Sequence, residues 1–169
     1  MEILRSENIY QGWFRIDRLF LKNKGKEFTR DRIVSKDAVA AVVYDEKLDK
    51  YIFVEQFRPG PQKNVIELAA GLIEDLSPMD TMIKEIEEEL GYLVDTIGKI
   101  RPAFYTTPGK TNEKMYLFYA TVSKQISKGG GLETENEDIE VIKVPKEDID
   151  FLEIEDGKTL VGLASMGLL

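Results

Sequence analysis

The sequence predicts an α+β fold, mostly antiparallel strands with few helices, and three observations predict it. Short branched and aromatic runs recur between Gly, Pro and Asn/Asp clusters, the pattern of strands joined by hairpins. One stretch, 78–90, combines helical spacing with a start signal. The remaining segments follow one another as strands, without the regular strand–helix alternation of a parallel sheet.

Taken in order, IYQGWFRIDRLFLK (9–22) and EFTRDRIV (27–34) read as a hairpin around the turn NKGK. AVAAVVY (38–44) is a near-continuous apolar run, so a buried strand. DEKLDK turns it into YIFVEQF (51–57), FRPGPQKN is a Pro/Gly loop, and VIELAAG is a short buried segment. A helix then runs from Pro78 to Leu90. Ser77 is its N-cap, Pro78 stands at N1 and Asp80 at N3. Met79, Ile83, Ile86 and Leu90 form one apolar stripe, roughly 140° from the middle of a face bearing Glu85, Glu88 and Glu89. Strands follow at 92–99, 101–106 and 114–123, a polar loop at 127–138, and a strand at IEVIKV. A last helix spans 156–168.

Composition narrows the chemistry. Among 169 residues there is no His and no Cys, which removes imidazole bases, Cys-His and Ser-His-Asp nucleophile systems and the usual zinc sites. Carboxylates, Lys, Arg, Tyr and hydroxyls remain, and clustered carboxylates select hard cations. The net charge of −8 carries no offsetting basic cluster, so nucleic acid is not an expected partner. The charged MEILRSENIY has no apolar core of a signal peptide, and LVGLASMGLL (160–169) is too short to span a bilayer. A cytoplasmic protein with no membrane association is the expectation. PGKT (108–111) ends like a phosphate loop, but Phe104 stands where its first glycine belongs.

The acidic helix is the anomaly. In KEIEEELG (84–91), Glu85, Glu88 and Glu89 share a face, and each like-charge pair costs about 0.2–0.5 kcal/mol. They also crowd the negative end of the helix dipole, just before the C′ glycine Gly91. A charge run is ordinarily a solvated face; a cation-binding face is the alternative.

AGLIEDLSPMDTMIKEIEEELGY (70–92) resembles the Nudix hydrolase box, G-x5-E-x7-R-E-U-x-E-E-x-G-U. Gly71, Glu85, Ile86, Glu88, Glu89, Gly91 and Tyr92 match it. Two positions depart: Lys84 stands for Arg, which loses the planar fork, and the loop after Gly71 is one residue short, leaving Asp75 as the nearest acid to the box's first Glu. VEQFRPG (54–60), YTTPGKTNEK (105–114) and GGGLETENEDIEV (129–141) resemble the subgroup that hydrolyses ADP-ribose and related nucleoside diphosphate sugars. DGKT (156–159) resembles the start of the terminal helix in its GDP-mannose-cleaving members.

The resemblance implies an α/β/α sandwich with a mixed sheet over 38–169. It also implies an N-terminal antiparallel β arm over 1–37, exchanged across a homodimer. It implies hydrolysis of a nucleoside diphosphate sugar, ADP-ribose ahead of GDP-mannose. It places Mg²⁺ or Mn²⁺ among Glu85, Glu88, Glu89, Glu137 and the Ala70 carbonyl, with Glu135 as general base and Glu88 also catalytic. Arg58 would clamp the diphosphate, Trp13 or Phe14 stack on the base, and Arg30 or Arg32 reach the partner's site. A sugar-nucleotide sensor without turnover is the alternative on the same fold, and a Ca²⁺-binding structural module the alternative outside it.

Overall fold

The computed structural model describes residues 1–131 and 138–169. The chain opens with a three-stranded antiparallel sheet: β1 (Glu2–Gln11), β2 (Arg15–Asn23) and β3 (Lys26–Val34), in that order. Lys24 and Gly25, at φ +50° and +80°, give the β2–β3 turn the two left-handed residues of a type I′ hairpin. The single strand expected over 9–22 is instead broken. Gly12, Trp13 and Phe14 make a turn closed by Gly12 N donating to Phe14 O at 3.0 Å. The preceding residues form a strand that periodicity could not reveal, because every residue of β1 is exposed and no apolar alternation marks it.

Among the described residues the body is an eight-stranded mixed sheet. Its spine joins β11 (Ile139–Val144), β5 (Lys50–Arg58), β4 (Ala38–Asp45), β10 (Lys114–Gln125) and β8 (Tyr92–Lys99). On this spine β6 (Lys63–Glu67) pairs with β5, β7 (Ala69–Leu72) with β4, and β9 (Phe104–Tyr105) with β10. β4 and β10 run parallel. The apolar run in β4 serves both faces by the two-residue period of a strand: Val39, Ala41 and Val43 enter one core, Ala40 and Val42 the other. Helix α1 (Pro78–Glu85) covers the first core and α2 (Gly157–Ser165) the second. This is the expected α/β/α sandwich. Among the described residues, no helix is long and apolar enough to cross a membrane.

Ser77 caps α1 as expected, its Oγ accepting from Asp80 N at 3.2 Å. Beyond Glu85 the helix widens into a π-helical turn, Ile86–Leu90, which stops at Gly91 with φ +76°. The buried stripe differs from the expected one. Met82, Ile86 and Leu90 are fully buried, while Met79 is 38% exposed and Ile83 half-buried. Met79 lies in the first turn, short of the sheet, and the helix docks through Met82 one turn later. The chain also forms a 3-10 turn at Lys146–Phe151 that periodicity did not mark.

α2 approaches the sheet closely because of Gly162. A Cβ there would lie 2.8 Å from Leu68 Cδ1 and 3.1 Å from Val42 Cγ2.

Candidate active site

β7 and the π-turned helix set Glu85 and Glu89 against one strand end. A Cβ on Gly71 would stand 2.1 Å from Glu85 Oε1, so the glycine is what lets this carboxylate fold over the strand. Glu89 is 3% exposed, and its Oε2 accepts the Ala70 N–H at 3.0 Å. Glu88 accepts Lys84 Nζ at 2.8 Å; here lysine meets the acid as a single point charge. The carbonyls at this negative helix end are satisfied from outside. Gly130 N donates to Glu89 O at 2.8 Å and Gly131 N to Glu88 O at 3.3 Å, meeting acceptors that helix ends leave open. A Cβ on Gly129 would fall 2.2 Å from Glu89 O, so this glycine permits the close docking. Glu135 and Glu137 lie outside the described residues; Asp138, which follows them, lines the adjoining cleft.

That cleft, of about 1520 Å³, is lined by Ala70, Gly71 and Glu85 from the box and by Arg58, Lys158 and Trp13. Arg58 does not stand clear in it. Its Nε and one terminal nitrogen bond both oxygens of Glu67 at 2.7 and 2.8 Å. Lys158 Nζ also bonds Glu67 and lies 3.1 Å from Asp156 Oδ2. Asp156 caps α2, its Oδ2 accepting from Thr159 N at 2.9 Å, and Thr159 Oγ1 accepts the Leu68 N–H at 2.9 Å. Two cations and two carboxylates thus tie the end of β6 to α2. The reading from sequence missed Glu67 and Lys158. An acid inside the apolar VIELAAG was the available signal, because a buried carboxylate needs a cation.

Burial pushes the Glu67 carboxyl up, but the Arg58 and Lys158 bonds outweigh it and hold the group below its ordinary value. Such a group adds stability that is complete above its unfolded pKa, about 4.3, and is lost as pH falls through the lower folded one. The melting temperature should therefore stay level from about pH 7 to about 5 and fall below about 4. A pH series on Glu67→Gln should show part of that fall removed.

The arm residues divide. Trp13 lines the cleft at 92% exposure, and Phe14, 54% exposed, shares its turn without lining it. Arg30 lies over the Phe28 ring at 5.0 Å and bonds Thr29 O. Arg32 sits 3.8 Å from the buried carboxylate of Asp17, which Arg15 holds bidentately at 2.9 and 3.1 Å. The Arg15 bond, against the cost of burial, keeps Asp17 below the usual carboxylate range. Within one chain, Arg30 and Arg32 serve the arm.

Among the described residues, no three carboxylates converge closely enough to hold a cation as they stand. The donor set nevertheless fits one. It is all oxygen, it occupies adjacent turns beside a glycine that keeps the strand open, and it is the chemistry that magnesium or manganese selects.

Comparison with known proteins agrees with this geometry. The NUDIX domain family model matches residues 34–160. The chain is 34% identical to the ADP-ribose pyrophosphatase of Haemophilus influenzae, over 99% of this chain and 84% of the relative. It is 32% identical to the ADP-ribose pyrophosphatase of Bacillus subtilis, over 85% and 79%. Its identity to the GDP-mannose pyrophosphatase of Pectobacterium atrosepticum is 32%, over 74% and 69%. A solved structure described as an ADP compounds hydrolase superposes with a TM-score of 0.81 at 17% identity, covering 98% of this chain and 91% of its own. The sandwich, the glycine-seated acids and these likenesses agree, and the chain belongs to the Nudix family.

Proposed function

We propose that this protein is a divalent-metal-dependent hydrolase that cleaves the diphosphate of a nucleoside diphosphate sugar. ADP-ribose is the first substrate and GDP-mannose the second, and the products are a nucleoside monophosphate and a sugar phosphate. One observation carries the reading: Glu85 folds over Gly71 at the edge of a cleft that also holds Arg58 and Lys158. The names of the relatives support the substrate class.

Glu85, Glu88, Glu89 and the Ala70 carbonyl would hold Mg²⁺ or Mn²⁺, with Glu137 joining from the late loop. When bound, the metal neutralises diphosphate charge and acidifies water. The chain's own groups do the rest. Glu135 takes the proton of the attacking water, the role the family resemblance gives it, and a carboxylate suits a chain without His. Arg58, its side chain 41% exposed beside Glu67, clamps the diphosphate, with Lys158 behind it between Glu67 and Asp156. Trp13 or Phe14 offers an aromatic face to the base. In a homodimer with exchanged arms (residues 1–37), Arg30 or Arg32 reaches the partner's cleft.

The test is a panel of sugar nucleotides with Mg²⁺ or Mn²⁺, assayed for released nucleoside monophosphate. Release of free nucleoside diphosphate and sugar would place the cut at another bond, and tight binding without turnover would make the protein a sensor. Gly71→Ala sharpens the test. The added methyl displaces Glu85, a flexible side chain that can yield, so turnover should fall about tenfold or more while the melting temperature barely moves. An unchanged rate would remove Glu85 from the site.

A further inference from the structure

The PGKT segment has no part in this chemistry, yet it is tied to the linker between the two sheets. Ile33 N donates to Lys110 O at 2.9 Å, and Ile33 pairs with Thr111 in a parallel bridge. Beside them the Asn112 side chain behaves as a strand neighbour would. Its Nδ2 donates to Ser35 O at 2.8 Å and its Oδ1 accepts from Ser35 N at 3.1 Å. One side chain, 77 residues away, thus satisfies both backbone groups of Ser35, groups that are costly to leave unpaired. Asp37 closes the linker, its Oδ1 accepting from Lys114 N at 3.0 Å and its carbonyl from Ile73 N at 2.8 Å.

Both ends of this clamp reach the cleft. On one side Glu113, a lining residue, accepts from Thr106 Oγ1 at 3.0 Å and from Ser35 Oγ at 3.3 Å. On the other, Ser35 follows Val34, and Val34 pairs across β2–β3 with Arg15. Arg15 stands two residues after Trp13. From the Asn112 amide to the aromatic face on the cleft there are therefore two hydrogen bonds, one strand pair and one short turn.

We propose that Asn112 is a positioning residue, which through Ser35 and the Val34–Arg15 pair holds the turn bearing Trp13 against the cleft. Its effect on substrate rests on reading the cleft as the sugar-nucleotide site; the clamp itself rests on the hydrogen bonds. Loss of the amide leaves the body sheet, its two cores and the box untouched. What changes is the freedom of the arm at its root.

Trp13 is the sole tryptophan, so its fluorescence anisotropy reports this turn alone. In the full-length protein without substrate, Asn112→Ala should lower that anisotropy. With the sugar nucleotide that the unaltered protein turns over, KM should rise on the order of tenfold and kcat should stay within about twofold, the mark of lost uniform binding. Asn112→Asp keeps the acceptor for Ser35 N but sets a second carboxylate oxygen against Ser35 O, and should loosen the turn at least as far as Asn112→Ala. Unchanged anisotropy in Asn112→Ala overturns the clamp. Lower anisotropy at unchanged KM overturns its link to the cleft. A joint fall of kcat and melting temperature marks general loosening and overturns the positioning role. If the unaltered protein hydrolyses no sugar nucleotide, the proposed function fails, and the anisotropy still decides the clamp.

Discussion

Glu89→Gln should lower turnover on the order of a thousandfold and leave the fold intact. The two halves of this expectation have separate causes. Glu89 is 3% exposed, and its Oε2 accepts the Ala70 N–H. A glutamine keeps an oxygen in that place and fills the same volume, so the local packing survives. What it loses is a charge. If the face is a cation cage, one anion fewer removes several kcal/mol of charge stabilisation at the diphosphate. The metal-free variant should melt no lower than the unaltered protein, because like-charge pairs on one helix face cost about 0.2–0.5 kcal/mol each. Added Mg²⁺ should raise the unaltered protein's melting temperature by mass action and raise the variant's far less. Initial rates of monophosphate release, with a thermal shift series in Mg²⁺, check both halves. A variant at full rate would take Glu89 out of the metal site.

What sequence made legible, and what it did not, follows from the range of the forces involved. β4 was visible because a strand buried on both faces is apolar at every position. The start of α1 was visible because capping involves residues three apart, Ser77 and Asp80. The acids of 85–89 were visible because like charges at that spacing carry a cost and fall in the pattern of the box. β1 was invisible for the opposite reason: a strand with no buried face leaves no period to detect. The π turn is met by Gly129–Gly131 docking against Glu88 and Glu89, a contact some 40 residues away that no local propensity encodes. The same turn, with docking through Met82, brought Glu89 against the sheet while Glu88 stayed partly open. Arg58 was marked from its motif as a clamp, but its partner Glu67 was not. The Lys158 that completes the pair lies 91 residues beyond that acid.

Those separations make Glu67 the test of how the cleft's cations are held. Glu67→Ala should destabilise the protein by about 2–3 kcal/mol, below the 3–5 of a fully buried pair, since Arg58 remains 41% exposed. The loss is not the worth of the pair. It is the cost of leaving Arg58 and Lys158 close together with their shared anion gone, and α2 without its tie to the end of β6. A second substitution separates stability from function. Arg58→Met with Glu67→Leu removes both members of the bidentate pair and leaves Lys158 its contact with Asp156. Apolar replacement of a buried pair is commonly near neutral, so this double variant should recover to within about 1 kcal/mol of the unaltered protein in urea unfolding. Its KM for the sugar nucleotide should nonetheless rise steeply if the Arg58 guanidinium clamps the diphosphate as proposed, because that fork is gone while the net charge is unchanged. If the recovered stability came with an unchanged KM, Arg58 would be a structural partner of Glu67 alone, and Lys158 would have to supply the diphosphate contact by itself.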